Sequence, residues 1–143
     1  MEFYTPFKIC GEGLTAHRAK MDVIVSNIAN VNTTRTLEGG PYKRKVVVFA
    51  SENVQGNFDS QLKDAVKTVK VDGIEEATDG EAIKMVHNPG HPDADERGFV
   101  AMPNINVVTE MVDMMLTNRA YEACVTAFDA SKNMALKTLE IGK

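Results

Sequence analysis

Both ends of this 143-residue chain carry apolar residues at helical spacing, and that leaves few folds open. Phe3, Phe7, Cys10, Leu14, His17, Met21, Ile24, Ile28 and Val31 follow one another in alternating steps of four and three. This is the a/d spacing of a heptad seam, held for about four heptads. Thr5-Pro6 supplies a start, with Thr5 as N-cap and Pro6 at the first helical position, where its missing N–H costs nothing. Asn32-Thr33-Thr34 compete for backbone hydrogen bonds and Gly39-Gly40-Pro41 forbids continuation, so the helix is expected to end near Val31. Gly11 and Gly13 lie inside it, each costing about 1 kcal/mol relative to Ala. Such a helix is marginal alone in water, so its seam must pack against something.

The last third of the chain supplies the partner. Pro103, Asn104 and Asn106 mark a helix start near Val107, Glu110 and Asp113 suit the positive end of the dipole, and Gly142 stands where a C′ residue belongs. The span carries two apolar stripes. The first is Val107, Met111, Met114, Tyr121, Val125, Phe128, Ala135 and Leu139. It is expected to form the seam with Phe3, Phe7, Leu14, Met21, Ile24, Ile28 and Val31 inside one subunit. The second is Val112, Leu116, Ala120, Ala123, Ala127, Ala130 and Met134. Its alanine centre lets helices approach closely, and a chain this short has little else to cover it. Leu116, Ala120, Ala123, Ala127, Ala130 and Met134 are therefore expected to contact other subunits.

Between the helices the pattern changes to short strands. Tyr42–Phe49 is a strand candidate after the Gly39-Gly40-Pro41 break, Val66–Val71 alternates, and Asp72-Gly73 is expected to turn the second strand back through Ile74–Ala77. Asp79-Gly80 marks another turn before Ala82–Val86, and Phe99–Met102 is a last strand. Residues 51–64 are polar and read as a loop with room for a short helix. The fold class is α+β, with terminal helices pairing as an antiparallel coiled-coil-like hairpin around a small β-rich insertion. The expected division is 1–36 and 104–143 for the helical part and 37–103 for the insertion.

The chemistry of the side chains excludes several function classes. A net charge of −4 with both signs interspersed argues against nucleic acid. No run of apolar residues is long enough to span a membrane. Glu2 opens a terminus with no basic and apolar leader, so a cleaved signal is not expected. Cys10 and Cys124 both fall in helical patterns, and the hairpin register holds them too far apart to bridge. His87, His91, Asp93, Asp95 and Glu96 offer metal-ligand types, but among Pro89, Gly90 and Pro92 they read as turn chemistry. No phosphate-binding glycine loop, nucleophile elbow, His-Glu-x-x-His or Cys-x-x-Cys is present. Neither a catalytic residue nor a cofactor or metal site is expected.

The run Ser26-Asn27-Ile28-Ala29-Asn30-Val31-Asn32-Thr33-Thr34-Arg35-Thr36, followed by Glu38-Gly39-Gly40-Pro41-Tyr42-Lys43-Arg44-Lys45, resembles the signature of bacterial flagellar rod and hook axial proteins. Ser26, Asn27, Ala29, Asn30, Asn32 and Thr33 carry it. Val71-Asp72-Gly73-Ile74, Pro89–Glu96, Gly98–Asn106 and the segments Glu110–Met114, Arg119–Ala123 and Lys137–Gly142 extend the resemblance over nearly the whole chain, 51–64 excepted. It implies a subunit of the basal-body rod, of the proximal part, which crosses the periplasm and transmits torque. It also implies terminal helices that pack with neighbouring subunits around an export channel, and type III export without a cleaved signal. The partners implied are other rod proteins, copies of the chain itself, the export apparatus and the rod-base junction. Two other classes compete with this reading: a soluble coiled-coil adaptor or secretion-associated protein, and a metal-dependent enzyme built on the His87/His91 turn.

Overall fold

The computed structural model describes residues 5–37, 39–53, 67–77 and 82–141. Two long helices, α1 (Thr5–Ala29) and α2 (Val107–Ile141), bracket four strands: β1 (Lys45–Asn53), β2 (Lys67–Glu76), β3 (Ile83–His87) and β4 (Phe99–Pro103). At 1.5 Å per residue α2 is about 50 Å long. This is the α+β arrangement expected from the terminal stripes.

The helices run antiparallel. Asn27 meets Glu110, Gly13 faces the Cys124 sulfur, and Phe7 packs edge-on against Phe128 with ring centroids 5.2 Å apart. α2 is capped as its sequence indicates, because the Asn106 Oδ1 accepts the Val108 N–H at 3.0 Å and the Thr109 N–H at 3.4 Å. Phe3 lies outside the described residues. Both cysteines are half-buried free thiols.

α1 is the centre of the molecule, because it packs against α2 and against β1 and β2. Its buried residues, Ala16, Val23, Ile24 and Asn27, lie from its middle to its C-terminal end. β1 and β2 form an antiparallel ribbon from Lys45↔Glu76 to Asn53↔Lys67. The buried Thr68 donates its hydroxyl proton to Glu12 of α1, tying the ribbon to the helix.

The ribbon corrects three expectations. Asp72-Gly73 does not turn the chain. The register passes from Val48↔Gly73 to Phe49↔Val71, so Asp72 is an extra residue at a bulge inside one continuous β2. The same dipeptide suits either role, and the two-versus-one count at a bulge leaves no trace in the pattern. The partner of β2 is β1, and Ile74 pairs with Val47. Ser51, Glu52 and Asn53, assigned above to a loop, belong to β1, which begins at Lys45 and not at Tyr42. Asp79-Gly80 and the rest of the 51–64 stretch lie outside the described residues.

β3 and β4 form a separate hairpin, Ile83↔Pro103 to His87↔Phe99, close to the boundaries read from sequence. Its loop is held by Asp95, whose Oδ1 accepts the Arg97 N–H at 2.8 Å and the Phe99 N–H at 3.1 Å. Gly98 sits at φ +76°, and a Cβ there would lie 3.3 Å from both the Pro89 ring and His87 Nε2. Gly98→Ala is therefore expected to cost about 1–3 kcal/mol from backbone strain alone. Thermal unfolding of the purified variant measures it, and an unchanged midpoint would mean that the loop relaxes freely.

Candidate functional site

The polar centre of the molecule lies where α1 ends, the ribbon begins and α2 starts. Asn27, 1% exposed, holds it. Its Nδ2 donates to the Lys45 carbonyl at 2.9 Å and to Glu110 Oε2 at 3.2 Å. Its Oδ1 accepts the Lys45 N–H at 2.9 Å and the Tyr42 hydroxyl proton at 3.0 Å. All four hydrogen-bonding positions of the amide are thus filled. Because the Tyr42 proton is committed to Asn27, it is Ser26 Oγ that donates to the Tyr42 oxygen at 3.2 Å. Glu110 is buried as well and accepts from Arg44 Nε at 2.7 Å. A buried carboxylate survives only when paired and hydrogen-bonded, and Arg44 and Asn27 supply both.

The rest of the Ser26–Thr33 run shapes the exit from α1. Asn30 Nδ2 donates to the Ser26 carbonyl at 2.8 Å, and the Thr33 hydroxyl donates to Asn30 Oδ1 at 3.1 Å. Ala29 is the last helical residue, and Asn32 stands exposed in the turn. Thr34 then donates to Asp93 Oδ2 at 2.8 Å, joining this exit to the β3–β4 loop. That loop uses its polar groups on itself: the His91 Nδ1 accepts the Asp93 N–H at 3.1 Å, and Asp95 serves its own turn. Among the described residues no three His, Cys, Asp or Glu side chains converge to hold a metal ion. Among those residues also, no helix is long and apolar enough to cross a membrane.

Of the expected seam, Phe7, Leu14, Met21, Ile28 and Val31 are half-buried and Ile24 is buried. On α2, Val107, Tyr121 and Phe128 are half-buried, but Met111, Met114, Val125 and Leu139 are exposed. The line that faces α1 keeps Val107, Tyr121, Phe128 and Ala135 of that stripe and adds Glu110, Thr117, Cys124 and Ser131, all buried or half-buried. The physical reason is volume. α1 already brings Leu14, Met21 and Ile24, so small and polar residues stand between the bulky Tyr121 and Phe128, while Met111, Met114, Val125 and Leu139 face outward. Sequence reasoning missed Glu110 and Thr117 by following hydrophobicity; their spacing of three and four within 107–110–114–117 was the available signal.

Leu116, Ala123, Ala127, Ala130 and Met134 stand exposed on one side of α2, and Ala120 is half-buried at its edge. Around them Val108, Met111, Val112, Met115, Leu136 and Leu139 are exposed too, each by 49% or more. Together they form an apolar surface larger than a free-standing domain ordinarily leaves in water.

Two family models match the chain. One, described as flagella basal body rod protein, matches residues 8–35. The other, described as flagellar basal body rod FlgEFG protein C-terminal, matches residues 96–141. The chain is 40% identical to the flagellar basal-body rod protein FlgC of Borreliella burgdorferi, over 99% of this chain and 98% of the relative. It is 40% identical to FlgC of Bacillus subtilis over the whole of both, and 38% identical to FlgC of Salmonella typhimurium over 96% of both.

The chain belongs to the FlgC family of flagellar basal-body rod proteins.

It is accordingly a structural subunit of the flagellar basal-body rod. The two segments matched by the rod models are those that meet at the junction. Asn27 lies in the first and Glu110 in the second, and a hydrogen bond joins them across 83 positions of sequence. The residue that locks the helices of this chain to its β part thus lies inside the segment matched by the first rod model.

Proposed function

We propose that this subunit acts mechanically and without catalysis, packing through its terminal helices into the axial tube that transmits torque and surrounds the export channel. The helical part, 1–36 with 104–143, lines the tube, and the insertion 37–103 lies outside it. Phe3 and the half-buried residues of α1 close the pair within a subunit. Leu116, Ala120, Ala123, Ala127, Ala130 and Met134 meet neighbouring subunits in a heterologous arrangement that continues helically. The partners are other rod proteins and copies of this chain, with the export apparatus and the rod-base junction at one end. The rod crosses the periplasm, and the chain reaches it by type III export without a cleaved signal.

The observation that carries this reading is the apolar cover of α2, left open over most of its length while α1 is enclosed on two sides. Amide hydrogen exchange tests it. In the unassembled chain, residues 16–37, 39–53, 67–77 and 82–117 are expected to be protected, because the buried side chains of α1 and the junction lie there. Residues 5–15 and 118–141 are expected to exchange fast, then slow in isolated basal bodies, where assembly supplies the missing burial. Equal protection of the distal segments in both states would remove the role given to α2, and a small closed oligomer with both ends protected would favour the adaptor.

A further inference from the structure

We propose that Leu37, on the loop after α1, is a knob that seats between Met111 and Met115 of a second copy of this chain lying alongside, with Arg35 paired to that copy's Glu122. The inference rests on the reading of the chain as an axial subunit that packs against its own copies. Leu37 is fully exposed at 107% of the reference area, touching nothing that covers it. A leucine left in water forgoes about 2 kcal/mol of burial free energy. The loop does not let it fold inward. The Thr36 N–H and hydroxyl both donate to the Gly40 carbonyl, at 2.9 and 3.2 Å, and the Gly39 N–H donates to the Thr36 carbonyl at 3.1 Å. Gly39 and Gly40 take φ +87° and +81°, which fixes the turn in a region L residues avoid. At its base the Tyr42 N–H donates to the Thr33 carbonyl at 3.1 Å. The knob is thus held out before any partner arrives.

α2 offers the matching face. Val108, Met111 and Met115 are spaced by three and four, so they share one side, and they are exposed by 70%, 49% and 63%. Methionine adapts to an inserted aliphatic group better than a branched residue does. Glu122 continues the same side two turns beyond Met115, its carboxylate steadied by the Asn118 amide at 3.1 Å. Arg119 and Glu122 follow Met115 on the same side at spacings of four and three, so the socket is bordered by one cation and one anion, and the anion is the group that Arg35 can meet. Because Asn27 meets Glu110, the loop after α1 and the first turns of α2 lie at the same end of the molecule. Knob and socket are different patches at one level, and a chain whose own knob stands free leaves its own socket open. The contact they make is side by side and heterologous, and it repeats from copy to copy.

Cross-linking tests it directly. A chain with Cys10→Ser and Cys124→Ser, carrying Leu37→Cys and Met115→Cys, replaces the native copy in cells, and isolated basal bodies are oxidised. The expected result is chain-to-chain linkage, extending beyond dimers, that neither introduced cysteine gives alone. Basal bodies that contain the chain but show no such linkage would overturn the contact. The rod reading itself stands or falls separately, on whether cells lacking the chain fail to build rods. As a second measurement, Arg35→Glu and Glu122→Arg are each expected to reduce swimming, and their combination to restore it. Failure of the pair to restore it would also count against the contact. Purified Leu37→Ser should unfold at the parent midpoint, which separates a lost contact from a lost fold.

Discussion

Asn27→Asp should lower the stability of the purified subunit by about 3–5 kcal/mol, the range for leaving a buried charge or polar group without its partner. The substitution preserves size and shape. It removes both N–H donors, so one carboxylate oxygen confronts the Lys45 carbonyl and Glu110 Oε2, where the amide now donates. Two acceptors and a second negative charge then meet beside Glu110, itself 2% exposed and already neutralised by Arg44. Domains of this kind hold only about 5–15 kcal/mol in total, so a loss of this size takes a large share of the margin. Urea unfolding of both proteins measures it. A loss under about 1 kcal/mol would mean that the junction is held by apolar packing and that the amide network adds little.

Ala127→Glu should leave the subunit folded and abolish swimming. Ala127 is exposed in the isolated chain, so its replacement is expected to change stability by no more than about 0.5 kcal/mol. In the rod the same position is proposed to meet a neighbouring helix at close range. A carboxylate buried there without a partner costs several kcal/mol, and the cost recurs at every copy. The two readouts, unfolding of the purified chain and motility of cells carrying it, separate folding from assembly. Normal motility would show that the alanine stripe is not an interface. Ala123→Glu, one turn earlier on the same stripe, should behave alike.

The helices were legible because their signal is local and periodic. Phe7 through Val31 keep their spacing over seven turns, and Asn106 announces the start of α2 with its own side chain. β3 and β4 were legible for the same reason, as short apolar runs bounded by turn residues. The face that α2 turns to α1 was not. That helix carries two apolar stripes, and the side that packs on α1 takes part of one of them together with Glu110, Thr117 and Ser131, which no apolar pattern marks. Asp72-Gly73 misled because one dipeptide serves both turn and bulge. Asn27 was visible as part of a signature, but not as a buried hub. Its partners, Tyr42, Lys45 and Glu110, come from separate segments, and no spacing rule links them.

The manner in which Asn27 grips Lys45 has a consequence for stiffness. The planar amide takes the N–H and the C=O of one residue together, as a neighbouring strand does, and the two bonds cannot be satisfied at two different angles. A joint made by one long flexible side chain would have play in it. This one has a single seated position. A shaft assembled from repeated parts is only as rigid in torsion as the softest joint in each part, because small rotations add along its length. With this joint seated, twist applied at one end is passed along the shaft with little lost to winding within its parts.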